Sequence, residues 1–172
     1  MSIVLKNIDL TDAPKIAAWK SDPLLSKKIM SAFKKTSIDE ATVWITKNTA
    51  DVNQKLNGIY YTNDNSNCLI GITRLMFIDW KSKVAEFGIY IGDSDYTGKG
   101  LGATALDLTI DQAFVQLGLR KIFLRVAESN ENALHLYLKK GFEIEGTLQE
   151  HIKVDQHFEN LHIMSKFNSL TK

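Results

Sequence analysis

The sequence has little cysteine and little proline. Its one cysteine, Cys68, excludes an internal disulfide and any zinc site built from several cysteines. It lies in an apolar stretch, so we expect it in the core. The two prolines, Pro14 and Pro23, and the lack of Ser/Gly-rich stretches leave no candidate linker. We therefore expect one domain over residues 1–172, a length that suits a single core.

Long apolar runs and an excess of one charge are also missing. The longest apolar runs, such as residues 75–78, are far shorter than the about 20 residues that cross a bilayer. The first residues lack the basic start and long apolar segment of a signal peptide, and they predict a strand. With 21 Lys and Arg against 20 Asp and Glu, the net charge is +1, and most of the cations are Lys. We expect a cytoplasmic protein with no membrane or nucleic-acid partner.

Periodicity and turn signals predict the order β-α-α-α-β-β-β-α-β-α-β-β. Thr11 or Asp12 is expected to cap the first helix, and the Ser37–Glu40 capping box opens the third. The predicted strands are 3–8, 57–62, 68–78, 83–91, 121–126, 142–150 and 158–167, and the last two helices are 101–117 and 130–140. The order predicts an α+β (mixed α/β) fold. Its mostly antiparallel twisted sheet is flanked by helices and has one parallel pair, formed by strands 83–91 and 121–126.

The most specific segment is Tyr-Thr-Gly-Lys-Gly-Leu-Gly at residues 96–102, between a strand and a long helix. Three glycines at alternating positions let the backbone approach a bulky anion. The helix that begins at Leu101 adds unpaired N–H groups and the positive end of its dipole. A plain glycine-rich turn is the alternative. The spacings of a dinucleotide fingerprint and of a P-loop are both missing.

Two segments together resemble the GNAT family of N-acetyltransferases. Residues 97–102 resemble the family's pyrophosphate loop, Arg/Gln-x-x-Gly-x-Gly/Ala, with Thr97 in place of the usual Arg or Gln. Residues 130–142 are similar to Asn-x-x-Ala-x-x-x-Tyr-x-x-x-Gly-Phe and agree at every fixed position. The resemblance implies a GNAT fold whose parallel strands splay apart. It also implies direct acetyl transfer from acetyl-CoA, as cosubstrate, to a primary amine, with no metal.

The resemblance also implies which residues bind the coenzyme. Backbone amides along residues 98–103 would hold the pyrophosphate, and the pantetheine arm would pair with the edge of strand 83–91 as a peptide adds to a sheet. Asn130 would contact the coenzyme arm beside Ala133. The implied loop and strand residues are Gly98, Lys99, Gly100, Leu101, Gly102, Ala103, Phe87, Ile89, Tyr90 and Ile91.

Two side chains are candidates for proton transfer. Tyr137 matches the family's proton donor to the leaving thiolate, whose unperturbed pKa is near ~8.5. Glu86 shares a strand face with Gly88 and Tyr90, and we assign it as the general base, acting directly or through a water, because aliphatic amines are protonated at pH 7. The alternatives are that Tyr137 is an ordinary aromatic residue packed on the sheet and that Glu86 is a solvated charge. The resemblance also implies that the oxyanion would meet backbone N–H groups around Ile89 and Tyr90.

The acceptor side is less well defined. We expect a pocket between the first two helices and the last strands, and paired lysines at 27–28 and 34–35 could meet a nucleotide diphosphate or form a solvated face. The four histidines show no metal-site spacing. Candidate pocket residues are Trp19, Met30, Phe33, Glu150, His151, Lys153 and His157.

Other segments resemble the RimJ/RimL-like branch of the family, namely residues 19–23, 85–92 and 142–148 with 155–156. That branch includes enzymes that acetylate protein N-termini, polyamines and amino sugars. Because the near-neutral charge gives no sign of ribosome binding, we favour a small-molecule amine, either an amino sugar or a polyamine. A protein N-terminus and a non-catalytic acyl-CoA-binding module are the alternatives, and a homodimer is left open.

Overall fold

A computed structural model describes residues 2–30, 33–63, 66–154 and 156–169. The order of its elements confirms the predicted one. The strands are β1 (Ser2–Lys6), β2 (Lys55–Asn63), β3 (Ser66–Asp79), β4 (Val84–Ile91), β5 (Lys121–Ala127), β6 (Glu143–Val154) and β7 (His157–Phe167). The helices are α1 (Ala13–Lys20), α2 (Pro23–Lys28), α3 (Ile38–Ala50), α4 (Leu101–Asp111) and α5 (Glu131–Lys139). Residues 64 and 65, between the predicted strands 57–62 and 68–78, and residue 155, between the last two predicted strands, lie outside the described residues.

All seven strands form one sheet in the order β1-β2-β3-β4-β5-β7-β6. Only β4 and β5 are parallel, and the other neighbours are antiparallel, which confirms the predicted fold class. The parallel ladder joins Val84, Ala85 and Glu86 of β4 to residues 121–123 and then stops. From Phe87 onward, β4 has no ladder partner on that side among the described residues. The two strands therefore separate in the middle of the sheet.

The helix starts follow their capping residues. Ser37 Oγ accepts a hydrogen bond from the Glu40 amide at 3.1 Å, and the Glu40 carboxylate accepts from the Ser37 amide at 2.9 Å, which confirms the predicted capping box. Asp12 precedes α1, but its side chain does not cap that helix. Asp9 instead caps the short 3-10 turn before it. The position of the first helix was predictable, whereas its capping bond was not.

The predicted helix 101–117 is wrong in its last turn. The α-helical bonding ends at Asp111, and residues 112–116 form one π turn, closed by the bond from the Leu117 amide to Gln112 O at 3.0 Å. Ala113 in this turn remains fully buried. Because the turn still directs an apolar residue to the core, the hydrophobic period does not distinguish it from α-helix.

The helices lie on two faces of the sheet. Alternating residues of a strand point to opposite faces. Ile70 of β3 packs in a cluster with Ala105 of α4. Ile72, two residues on, packs with residues of α1 and α3 and with Tyr90 of β4. Ile70 and Ile72 nevertheless lie on opposite faces, because the β2–β3 register shifts between Ile59 and Tyr60 and leaves Ile70 as an extra residue on β3. The helix α4 therefore covers one face of the sheet, and α1 and α3 cover the other.

Two further expectations concern Cys68 and membranes. Cys68 packs against the buried cluster that includes Ile59 and Ile70, but it is only half-buried, and its Sγ lies 3.5 Å from Lys15 Nζ. Within the described part of the chain, no helix is long and apolar enough to cross a membrane.

Candidate active site

A cleft of about 660 Å³ opens where β4 and β5 separate. Residues of β3, β4, β5 and α5 form one side of it, and residues from α1 to α3 form the other. Seven of the predicted site residues line it: Glu86, Phe87, Ile89, Tyr90, Asn130, Ala133 and Tyr137. Ile91 and residues 98–103 lie outside its lining, at the end of β4 and the start of α4. The two proton-transfer candidates thus face one cavity.

The edge of β4 offers backbone groups to this cleft. The Gly92 amide donates to Ile70 O at 2.9 Å, and Ile72 stands opposite Tyr90 in the same register. In an antiparallel pair, alternate residues form hydrogen-bonded pairs, so the N–H and C=O of Tyr90 point toward β3. Those of Ile89 point the other way, toward the opening. Ile89 is therefore the stronger of the two candidates for an oxyanion contact.

Glu86 is buried at the floor of the cleft, with 8% of its surface exposed. It stands opposite Met76 in the β3–β4 register. Two nitrogens of Arg125 on β5, Nε and Nη2, lie 2.9 and 2.8 Å from its Oε1. The other carboxylate oxygen, Oε2, accepts no hydrogen bond from a described residue. The pair holds the carboxylate in place and leaves one oxygen for another partner.

Sequence reasoning missed Arg125. The available signal was an arginine inside an otherwise apolar strand, Lys-Ile-Phe-Leu-Arg-Val-Ala at residues 121–127. Such a residue needs a partner when its neighbours are buried. Because Glu86 and Arg125 lie on different strands, only the strand pairing could identify the partner.

Tyr137 is also buried, with 8% of its surface exposed. Its ring packs edge-on against Phe87, with centroids 6.4 Å apart, and against Phe142 at 5.7 Å. Burial raises the pKa of Tyr137 to about 12. The phenol is therefore neutral at physiological pH and carries a proton that it can donate. Tyr137 is thus packed among aromatic residues, as the alternative interpretation expects, and this packing is compatible with a donor role.

Asn130 lies at the start of α5, where its side-chain oxygen accepts a hydrogen bond from the Ala133 amide at 3.3 Å. The residue therefore caps the helix that carries Tyr137. Its amide nitrogen donates to no described residue and belongs to a side chain that lines the cleft. Contact with the coenzyme arm stays a prediction for this nitrogen.

The glycine loop leads directly into α4. Gly98 and Gly100 have φ of 70° and 76°, and Gly100 precedes the first helical residue. The amides of Ala103 and Thr104 donate to Gly100 O at 3.1 and 3.2 Å. The amides of residues 98–102 donate to no acceptor in the described part of the chain. Unpaired amides at a helix start suit the oxygens of a pyrophosphate.

Replacing Gly100 tests this loop. A Cβ there would meet no atom within 4 Å, so the cost of Gly100→Ala comes from the left-handed backbone, about 1–2 kcal/mol. We expect Gly100→Ala to weaken CoA binding by up to about 30-fold, measured by titration calorimetry. Gly100→Asn is the matched control, because Asn tolerates this conformation and should lose less. Equal CoA affinity in all three proteins would contradict a role for the loop geometry.

The acceptor side agrees with prediction only in part. Among the candidates, Trp19, Met30 and His151 line the cleft, whereas Phe33, Glu150, Lys153 and His157 do not. Phe33 is 57% exposed, and the three other residues are exposed on the same pair of strands, β6 and β7, that carries His151. Of the paired lysines, one member of each pair lines the cleft, Lys28 and Lys34. Sequence reasoning missed Lys20, Trp44 and Arg74.

Within the described ranges, no group of three or more His, Cys, Asp or Glu side chains is arranged to hold a metal ion.

Comparison with known proteins identifies relatives of this chain. The profile of the acetyltransferase (GNAT) domain family matches residues 2–143. Spermidine N(1)-acetyltransferase of Escherichia coli (strain K12) is 38% identical over 90 residues, which are 52% of this chain and 48% of that protein. The Vibrio cholerae enzyme of the same name is 34% identical over 102 residues, 59% of this chain and 58% of that protein. These alignments thus span about half the length of the curated relatives.

Solved structures match over nearly the whole chain. The crystal structure of spermidine N-acetyltransferase from Vibrio cholerae in complex with CoA and spermine aligns with a TM-score of 0.88 at 27% identity. The alignment covers 98% of this chain and 96% of that one. A dodecameric structure of the Vibrio cholerae enzyme aligns with a TM-score of 0.82 at 27% identity, over 99% of this chain and 96% of that one.

Proposed function

This chain belongs to the acetyltransferase (GNAT) domain family, and from that membership we propose that it transfers the acetyl group of acetyl-CoA to a primary amine of a small molecule. The observation that carries the proposal is the cleft at the separation of β4 and β5. Glu86 and Tyr137 both line this cleft, beside an unpaired strand edge. A buried carboxylate and a neutral phenol in one cavity supply a proton acceptor and a proton donor.

The proposed reaction needs no covalent bond to the protein. Bound acetyl-CoA would supply a thioester carbonyl carbon, which forms a C–N bond with the amine as its C–S bond breaks. Glu86 would accept the proton that the amine loses, directly or through a water. The Ile89 amide would donate a hydrogen bond to the carbonyl oxygen as negative charge develops there. Tyr137 would give its phenolic proton to the departing sulfur.

Most of the residues implied for coenzyme binding fit this arrangement, and the exception is Ala103, whose amide already donates to Gly100 O at 3.1 Å. The unpaired amides of residues 98–102 and the start of α4 supply donors for the pyrophosphate. The free edge of β4 from Phe87 to Ile91 supplies backbone groups for the pantetheine arm. Asn130 and Ala133, at the start of α5, would border that arm.

The small-molecule class of acceptor is supported by the relatives, which are named for spermidine. A protein N-terminus is the second candidate class. Placement in the RimJ/RimL-like branch stays a proposal that rests on the three segments quoted above. A homodimer likewise stays a proposal, and the dodecameric Vibrio cholerae relative supports self-association in general. The cytoplasmic location remains a prediction.

The experiment is an acetyl-transfer assay with acetyl-CoA and a panel of amines that includes polyamines, amino sugars and peptides with free N-termini. We expect thiol release above background with at least one small amine, and mass spectrometry should show one added acetyl group. A folded protein that binds CoA yet releases no thiol would instead be a non-catalytic acyl-CoA-binding module. Stabilisation by NAD and not by CoA would contradict the coenzyme assignment.

A further inference from the structure

The lining of the cleft is rich in positive charge, and none of its cations belongs to the glycine loop. The charged residues that line the cleft include one carboxylate, Glu86, which is already paired with Arg125. The remaining charged lining residues are all cations: Lys20, Lys28, Lys34 and Arg74. The whole chain has a net charge of only +1. The excess of cations is therefore a local property of the cleft.

Two of these cations meet at one aromatic ring. Lys20 Nζ lies 4.5 Å from the centroid of the Trp44 ring, and Arg74 Cζ lies 5.5 Å from it. Arg74 Nη2 donates to Asn48 Oδ1 and Gln54 Oε1, each at 2.8 Å, but both acceptors are uncharged amides. Lys34, by contrast, forms an ion pair with Glu40 at 2.8 Å. Lys20 and Arg74 differ from Lys34 in that the described residues supply no contacting carboxylate for either of them.

Grouping these cations is unfavourable without a counter-ion. Burial lowers the pKa of Lys20, and the nearby charges of Arg74 and Lys34 lower it further. Burial also lowers the pKa of Arg74, although Tyr90, Asp51 and Glu86 act in the opposite direction, and its Nε is buried without a hydrogen-bond partner among the described residues. An anion in the cleft would offset both the repulsion and the loss of solvation.

Lys20 and Arg74 belong to α1 and β3 and not to the implied pyrophosphate loop. We therefore expect them to contact the acceptor and not the coenzyme. A polyamine would bring a second ammonium group to a wall that is already cationic. We propose that the acceptor is a primary amine that also carries a phosphate group, such as an amino sugar phosphate. This inference rests on the proposed function. The amine would lie at Glu86, and the phosphate would lie between Lys20 and Arg74, where a dianion can pair with two cations.

The test compares acceptors that differ only in phosphate. Glucosamine is measured against glucosamine 6-phosphate and ethanolamine against phosphoethanolamine, with spermidine as a third class. We expect kcat/KM to be about tenfold or more higher for each phosphorylated amine, and the advantage to shrink as salt is raised. A kcat/KM for spermidine that equals or exceeds that for the phosphorylated amines would overturn the inference while leaving the acetyltransferase assignment intact. Absence of transfer to every amine would instead count against the proposed function.

Variants locate the phosphate contact. Lys20→Gln and Arg74→Gln should each shrink the advantage of the phosphorylated amines over their unphosphorylated partners, the ratio of the two kcat/KM values, by about tenfold. Lys47→Gln, which removes an exposed lysine of α3 outside the cleft, is the matched control. Titration calorimetry with CoA gives a second readout. If Lys20→Gln weakens CoA binding and does not change the preference for phosphorylated amines, the cations serve the coenzyme and the inference is wrong.

Discussion

Replacing Tyr137 by Phe is expected to lower kcat by about 10²–10⁴-fold, the range typical of a lost general acid. The ring that packs against Phe87 and Phe142 is kept, so the fold should not change. The leaving sulfur loses its proton donor, whereas no contact implied for coenzyme binding is removed. The Kd for CoA, measured by calorimetry, should therefore stay within about twofold while steady-state turnover falls.

The control for this substitution is Tyr61→Phe. Tyr61 packs against Tyr96 and lies outside the cleft, so the same chemical change there should leave kcat unaltered. The pH profile supplies a second check. Because the pKa of Tyr137 is raised to about 12, its ionisation should not reduce the wild-type rate below about pH 11. Unchanged turnover in Tyr137→Phe would leave the residue with a packing role alone.

Much of the fold could be predicted because its signals are local. The order of elements followed from periodicity and capping residues, such as the Ser37–Glu40 box. The long helix between β4 and β5 predicted that these two strands pair in parallel, and the observed β4–β5 ladder confirms the prediction. The point at which that ladder stops, after Glu86, has no local signal. It depends on the path of both strands, and the cleft exists because of it.

The missed residues of the site have a common cause. Arg125 contacts Glu86 across two strands, and Arg74 and Lys20 meet at Trp44 from three different elements. Each of these contacts joins residues that are remote in sequence, so it cannot be predicted from the type and spacing of the residues. The choice of Ile89 over Tyr90 likewise depends on the register of β4 against β3. Tyr137 was found by resemblance and Glu86 from the alternation of its strand, whereas the residues that contact them required coordinates.

Replacing Glu86 by Gln is expected to lower kcat/KM at neutral pH by about 10²–10³-fold. The amide is nearly isosteric and can still accept from Arg125, so the wall of the cleft should be preserved. What is lost is the group that takes the proton from the attacking amine. An aliphatic amine with a pKa near ~10 is mostly protonated at pH 7 and would have to lose its proton to solvent first. The rate should therefore recover as the pH approaches that value.

The shape of the pH profile separates a base from a structural residue. If Glu86 only anchors Arg125, Glu86→Gln should lower the rate by the same factor at every pH and leave the profile where it was. Arg125→Lys is the matched control, since it keeps a cation beside the carboxylate but loses the two-nitrogen contact. We expect that variant to be slower with a wild-type profile. A profile displaced to higher pH in Glu86→Gln alone would assign the proton transfer to Glu86 and confine Arg125 to positioning it.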